Sequence, residues 1–156
     1  MRLTAVLQLM SARIDAQLRH ESELTYVEYY ALAMLSEEPD RRIQMKVLAA
    51  RTNSTLPRLS RVITVLENAG FVARVPSPTD RRATDVELTN AGFAKLVAAA
   101  PGHVRAVREL VFDPLQEADL AVLTRVMDDW LDQLDPQHIL RRDPSELPGG
   151  DDGRAC

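Results

Sequence analysis

The sequence predicts a mainly α-helical fold with a small two-stranded antiparallel β-wing. Three observations support this fold class. Apolar residues recur at three- and four-residue steps through most of the 156-residue chain, which is the spacing of one helix face. A short and a longer helical pattern meet at a turn before Ser54. Two alternating apolar segments then flank a proline-containing loop, which is typical of a hairpin.

The composition is that of one globular domain rich in helix. Hydrophobic residues make up 46% of the chain and aromatic residues only 4%, so Leu, Val, Ala and Met must fill the interior. The single cysteine, Cys156, excludes an intrachain disulfide and a cysteine metal cluster. No run approaches the roughly 18 to 20 apolar residues that a membrane span needs. We therefore expect a cytoplasmic protein without a cofactor.

The N-terminal part predicts two helices. The first falls within residues 1–22 and carries an apolar stripe: Leu3, Val6, Leu7, Met10, Ile14 and Leu18. The second runs from about Thr25 to Ser36, and Glu28 lies where it would complete a capping box with Thr25. The residues of this helix expected to face inward are Val27, Tyr30, Ala31, Met34 and Leu35. A break follows at Glu38-Pro39-Asp40.

The central part predicts a short helix, a turn and a longer helix. The short helix covers Ile43–Ala50, and its apolar positions are Ile43, Val47 and Leu48. The longer helix covers about Ser54–Ala69, and its expected buried residues are Leu56, Leu59, Ile63 and Leu66. Pro57 fits the first turn, where a missing N–H costs nothing. Gly70 is expected to end the helix.

The wing is predicted as a hairpin. Phe71–Val75 and Thr84–Leu88 alternate as strands and pair across the loop Pro76–Ala83. Adjacent Arg81 and Arg82 lie at the exposed tip of this loop, where packing does not explain them.

Two further helices follow the wing. Thr89 caps a helix over about Asn90–Val111, with a kink expected at Pro101-Gly102. Pro114 opens the last helix and Pro136 ends it. Trp130 lies on the apolar face of this helix, as part of the core or of a dimer interface. The first helix and the last two carry broad apolar faces outside the central unit. These helices could bury their faces against one another or against the same elements of a second chain, and the second option gives a two-fold dimer.

Positive charge is concentrated in the middle of the chain, although the net charge is −4. Only Glu67 and Asp80 oppose the arginines of this region, which are Arg51, Arg58, Arg61, Arg74, Arg81 and Arg82. Acidic residues dominate from Asp113 onward. Such a polarised molecule would turn its positive side toward phosphate.

A helix presenting Arg58 and Arg61 beside a loop presenting Arg81 and Arg82 suits contact with duplex DNA in two adjacent grooves. Simpler interpretations remain open. Arg58 and Arg61 also fit a solvated helix face, and Asp80 with Arg82 fits an ion pair at a hairpin tip. Three hydroxyl residues fit helix capping equally well: Ser54, Thr55 and Ser60.

The chain resembles the MarR family of bacterial regulators in three segments. They are Leu66-Glu67-Asn68-Ala69-Gly70-Phe71-Val72-Ala73-Arg74, Asp80-Arg81-Arg82 and Leu88-Thr89-Asn90-Ala91-Gly92. The resemblance implies a winged helix-turn-helix (residues 25–95) between dimerisation helices (1–22 and 96–136) in a single domain, 1–136. A flexible tail, 137–156, is expected to follow.

The resemblance also implies a function. It implies a homodimeric, sequence-specific regulator, a repressor of an inverted-repeat operator, whose longer helix lies in the major groove and whose wing enters the minor groove. The wing pair falls on Asp80 and Arg82, with the acid orienting the guanidinium, and Arg81 lies beside it. The family's groove-reading residues fall on Ser54, Thr55, Pro57, Arg58, Ser60 and Arg61.

A small-molecule site is a further expectation. The tyrosines Tyr26, Tyr29 and Tyr30 cluster early in the second helix, where they either pack between the two parts of the domain or form a pocket for an aromatic or phenolic effector. Arg13 and His20 are its polar partners in the second case. No metal site is expected, since the three histidines are widely spread: His20, His103 and His138.

No nucleophile–base pair, glycine-rich phosphate loop or carboxylate dyad is visible, so we expect no enzyme. Two alternatives stay open at this point. One is a winged-helix protein-interaction module without sequence-specific DNA binding. The other is a domain related to the winged-helix part of some methyltransferases, which the absence of a following α/β domain or cofactor motif disfavours.

Overall fold

The computed structural model describes residues 1–78, 80, 82–137 and 139–140. Residues 141–156 of the predicted tail (137–156), together with Thr79, Arg81 and His138, lie outside the described residues. Within the described ranges the elements are, in chain order, α1 Arg2–Ser22, α2 Tyr26–Ser36, β1 Arg42–Gln44, α3 Met45–Arg51, α4 Leu56–Asn68, β2 Val72–Pro76, β3 Thr84–Leu88, α5 Asn90–Val107 and α6 Glu117–Leu134. A π-helical turn, Arg108–Phe112, continues α5.

The mainly α-helical fold class with an antiparallel wing is confirmed, and the sheet has one strand more than expected. Its order is β1-β3-β2, and both pairings are antiparallel. Ile43 was predicted to begin a helix, but it lies buried in β1 opposite Val86. A three-residue strand is too short to show an alternation of its own, so only its partner strand identifies it. Val47, which belongs to the apolar pattern of the predicted helix, is exposed on α3.

The core joins the end of α1 to α2, α3, α4 and the sheet. Its fully buried larger side chains are Leu18, Leu32, Leu35, Leu48, Leu59, Ile63, Leu66 and Val86. Leu56 was predicted to belong to this set, but its exposed fraction is 48%. It lies one turn before Leu59, where α4 extends beyond the core.

Local sequence signals explain how the helices begin and end. Thr25 and Glu28 form the predicted capping box: Thr25 Oγ1 accepts from the backbone N–H of Glu28 at 3.2 Å, and Glu28 Oε2 accepts from that of Thr25 at 2.7 Å. Gly70 follows α4 with φ +76°, a conformation that a side chain disfavours. Thr89 caps α5 by accepting from the N–H of Gly92 at 3.0 Å. A Cβ at Gly92 would collide with the carbonyl of Phe71, so glycine lets α5 approach the base of the wing.

The C-terminal helices differ from the prediction in their bounds. The first, α5, runs through Pro101 as one helix to Val107. The last helix begins at Glu117 rather than at Pro114, and Asp119 Oδ2 accepts there from the backbone N–H of Gln116 at 3.0 Å. No helix in the described part of the chain is long and apolar enough to cross a membrane.

Two helices leave apolar faces uncovered. The exposed apolar residues in the first half of α1 are Leu3, Val6, Leu7 and Leu9. None of the residues of α6 is buried, and its exposed apolar residues are Leu120, Val122, Met127, Trp130 and Leu134. With an exposed fraction of 46%, Trp130 is not part of the core. Single exposed apolar side chains are normal on a monomer, but these two helices each carry several of them on one face. Such contiguous apolar surface is typical of an interaction site.

Candidate nucleic-acid interface

The start of α4 projects from the turn that follows α3. Asn53 adopts φ +46° in this turn, a conformation that asparagine tolerates better than most residues. The Thr55 side chain makes no capping hydrogen bond, and Ser54 Oγ donates to the carbonyl of Thr52 at 3.2 Å. Pro57 occupies the first turn, as predicted. The hydroxyl of Thr55 therefore does not serve as the helix cap, although it lies at the cap position.

Arg58 and Arg61 lie on the exposed surface of α4, one turn apart. In the part of the chain that the structure describes, neither guanidinium has an ion pair or a hydrogen bond to an acidic group. Ser60 is half-buried beside them, and its carbonyl accepts from Thr64 Oγ1 and Arg74 Nη2, both at 2.9 Å. This face of α4 therefore presents cations whose charge is not neutralised within the described chain.

Hydrogen bonds join described residues of the wing loop. The N–H of Ser77 donates to the carbonyl of Ala83 at 3.1 Å. Asp80 Oδ1 accepts from the backbone N–H of Arg82 at 2.9 Å. The acid thus holds the loop backbone, and no ion pair joins it to the exposed Arg82 guanidinium within the described residues. That Asp80 orients this guanidinium on DNA stays a prediction. Arg81 lies outside the described residues.

Arg74 connects the wing to α4. Its guanidinium forms an ion pair with Glu67 and donates to the Ser60 carbonyl and to Thr64 Oγ1, each at 2.9 Å. The other oxygen of Glu67 accepts from the Arg74 backbone N–H at 3.0 Å. Three partners therefore hold the Arg74 side chain and a fourth bond holds its backbone, which sets the position of β2 relative to α4.

Counting the arginines in the sequence overstated the positive charge that is available to bind phosphate. Arg74 is neutralised by Glu67, and Arg51 forms an ion pair with Glu38 at 2.6 Å. Sequence counting misses both pairs, since their members lie on different elements. Of the six arginines in that count, Arg58, Arg61 and Arg82 have no ion pair among the described residues.

An open cleft of about 440 Å³ separates α4 from the wing. Residues of α3, α4 and both wing strands line it, among them Lys46, Leu56, Ser60, Arg74, Arg82 and Thr84. Lys46 and Leu56 were not predicted as site residues. No periodic signal could have identified Lys46, because a lysine on the polar side of a short helix looks like any solvated residue.

The residues predicted to bind an effector fall into separate places. Arg13 and His20 line a cleft of about 320 Å³ between α1 and α5, together with Gln17, Glu21 and Arg105. None of the three tyrosines lines this cleft.

The tyrosines form two aromatic contacts instead. Tyr26 and Tyr30 stack with ring centroids 5.8 Å apart, and Tyr29 is buried against His103 at 4.4 Å. Burial raises the pKa of all three tyrosine hydroxyls and lowers the pKa of His103, so this aromatic group is uncharged near neutral pH. The described residues contain no group of three or more His, Cys, Asp or Glu that could hold a metal ion.

Comparison with known proteins agrees with this geometry. A family model described as the MarR family matches residues 22–83. Sco3205, a MarR family transcriptional regulator from Streptomyces coelicolor solved in complex with DNA, shares 34% identity, with a TM-score of 0.82 and coverage of 88% of this chain and 86% of that one. AbsC, a MarR family transcriptional regulator from the same organism, shares 32% identity, with a TM-score of 0.81 and coverage of 87% and 91%.

A curated relative gives a shorter match. The HTH-type transcriptional repressor YetL of Bacillus subtilis (strain 168) is 33% identical over 98 residues, which is 61% of this chain and 58% of YetL. The alignment therefore spans less than two thirds of that relative. The two Streptomyces regulators are matched over most of their length, and their folds superpose closely. The chain therefore belongs to the MarR family and is a transcriptional regulator, not an enzyme.

Proposed function

We propose that the chain is a cytoplasmic homodimeric repressor that binds an inverted-repeat operator, with α4 in the major groove and the wing in the adjacent minor groove. One observation carries this proposal. Arg58 and Arg61 on α4 and Arg82 on the wing are exposed, without acidic partners in the described chain, and these two elements border one cleft.

The chemistry of these side chains supports both contacts. A guanidinium can donate two hydrogen bonds to the O6 and N7 edge of guanine in the major groove. An arginine in a narrow minor groove gains from the concentrated negative potential there. The hydroxyl residues at the start of α4, Ser54 and Thr55, can donate to phosphates or bases, while Pro57 lacks an N–H donor. Binding by such a surface weakens steeply with salt, because cations neutralise phosphates.

Selection from random duplexes tests the DNA proposal. Purified protein is incubated with a random library, and the retained fragments are sequenced. We expect one palindromic consensus whose half-site centres lie about 34 to 36 Å apart. Transcription in vitro from a promoter that contains this consensus should fall as protein is added. Recovery of no consensus would contradict the proposal and favour a protein-interaction module.

The dimer is proposed because α1 and α6 leave apolar faces uncovered. We expect light scattering at micromolar concentration to give about twice the 17.4 kDa chain mass. Trp130→Glu should shift the mass toward that of one chain, since it places a charge in the proposed interface. Arg125→Ala is the control on the same helix, because the ion pair that Arg125 makes with Asp129 is exposed. A parent protein that is monomeric at this concentration would rule out the dimer.

Release by a small aromatic molecule is the regulatory part of the proposal. The cleft between α1 and α5 lies near the lower limit of typical ligand pockets, roughly 300 to 1,000 Å³, and Arg13 can pair with a carboxylate. We expect a hydroxybenzoate to raise the protein concentration that half-saturates the operator. Arg13→Gln should remove this effect, and Arg125→Gln should keep it. An equal response of parent and Arg13→Gln would exclude Arg13 from the effector site.

A further inference from the structure

We propose that the cleft between α4 and the wing is a phosphodiester-binding site in which Lys46 is the main cation. The site would hold the DNA strand that runs between the two occupied grooves. This inference rests on the proposed DNA-binding function and adds a contact that neither α4 nor the wing tip provides.

The position of the cleft follows from the shape of the double helix. A major groove and the adjacent minor groove are separated by one sugar–phosphate strand, which carries one negative charge per 3.4 Å of helix axis. A protein that places α4 in one groove and the wing in the other must straddle that strand. The cleft is the space between these two elements, so the strand passes over the cleft wherever both contacts form.

The charges around the cleft single out Lys46. Arg74 is neutralised by Glu67, and Asp80 is bound through one oxygen to the backbone N–H of Arg82. Lys46 is exposed on α3 and has no ion pair within the described chain. The lining of the cleft therefore contains two cations without an ion pair in the described chain, Lys46 and Arg82, and one carboxylate, that of Asp80.

The two cations suit different parts of DNA. Arg82 projects from the wing, where a planar guanidinium can enter the minor groove. The lysine ammonium is a compact charge with three donors, and it can follow a phosphate without a fixed orientation. Ser60 and Thr84, which carry hydroxyl groups, line the same cleft. We therefore assign the strand contact to Lys46, with no dependence on base sequence.

The salt dependence of binding tests this assignment. Fluorescence anisotropy measures operator affinity of the parent and of Lys46→Gln over a range of salt concentrations. We expect the slope of log affinity against log salt to become shallower by about one per subunit in Lys46→Gln. The preference for operator over random duplex should stay unchanged. Lys46→Arg should keep the parent slope, because it retains the charge.

Lys95→Gln is the matched control, since the chain's other lysine lies on α5 beside the Phe71 ring and does not line the cleft. It should leave the slope unchanged. A second measurement replaces single operator phosphates with uncharged methylphosphonates. Replacement of one phosphate on the strand between the two grooves should lower the operator affinity of the parent. The same replacement should lower the affinity of Lys46→Gln by a smaller factor.

The outcomes separate the two proposals. The phosphodiester site would be overturned if parent and Lys46→Gln had equal salt slopes, or if both lost the same affinity at every methylphosphonate position. The DNA-binding function would stand in either case. A parent protein that binds no duplex at low salt would overturn the proposed function, and the site with it.

Discussion

Replacing Arg61 with alanine should weaken operator binding by about 1 to 3 kcal/mol per half-site and relax base preference at one position. The reason is geometric. Arg61 lies on the exposed surface of α4 and has no partner in the described chain that would compete for its guanidinium. Competition gel shifts with operators changed at single base pairs measure both the lost affinity and the lost discrimination.

Other arginines provide the comparison for Arg61→Ala. Arg58→Ala should act in the same way at a neighbouring position. Arg82→Ala should weaken binding with a smaller effect on major-groove preference, because a minor groove distinguishes base pairs poorly. Arg125→Ala, on α6, should bind like the parent. If Arg61→Ala and Arg82→Ala both bound like the parent, the assignment of the DNA-binding surface would be wrong.

Replacing Arg74 with methionine should detach the wing from α4. The substitution removes the ion pair with Glu67 and the hydrogen bonds to Ser60 and Thr64, while keeping a long side chain. Loss of these part-buried bonds should lower the free energy of unfolding by about 1 to 3 kcal/mol. Operator affinity should also fall, since Arg82 is no longer held at a set distance from α4. Thermal unfolding and anisotropy measure the two effects.

A double-mutant cycle separates positioning from simple destabilisation. If Arg74 acts through the wing, Arg74→Met and Arg82→Ala together should cost less affinity than the sum of the single changes. Arg51→Met is the matched control, because Arg51 also forms a part-buried ion pair, with Glu38, but does not line the cleft beside the wing. Its effect should be additive with that of Arg82→Ala. Additive behaviour of Arg74→Met as well would refute the positioning role.

The structural signals that could be predicted are the ones that act over one or two helical turns. The Thr25–Glu28 capping box depends on two side chains three residues apart, and Gly70 depends on its own backbone freedom. The strands β2 and β3 are adjacent in sequence, so their pairing needed only a short loop. Each of these features is therefore visible in a short window of sequence.

The errors lie where distant parts of the chain meet. Ile43 is a strand residue only because β3, some forty positions later, offers Val86 as its partner. Leu56 looks like a core residue of an amphipathic helix, yet the core ends one turn after it. The same limit applies to charge, because the sequence shows that Arg74 exists but not that Glu67 neutralises it.

The sequence alone determined the order of the helices, the wing and the family, since helix periodicity, caps and a few short motifs are local properties of the chain. Tertiary structure decided which cations remain unpaired and that a cleft lies between α4 and the wing. It also decided that the α1 and α6 faces stay uncovered. The physical reason is that ion pairing and burial depend on distances in space, which spacing along a chain does not specify.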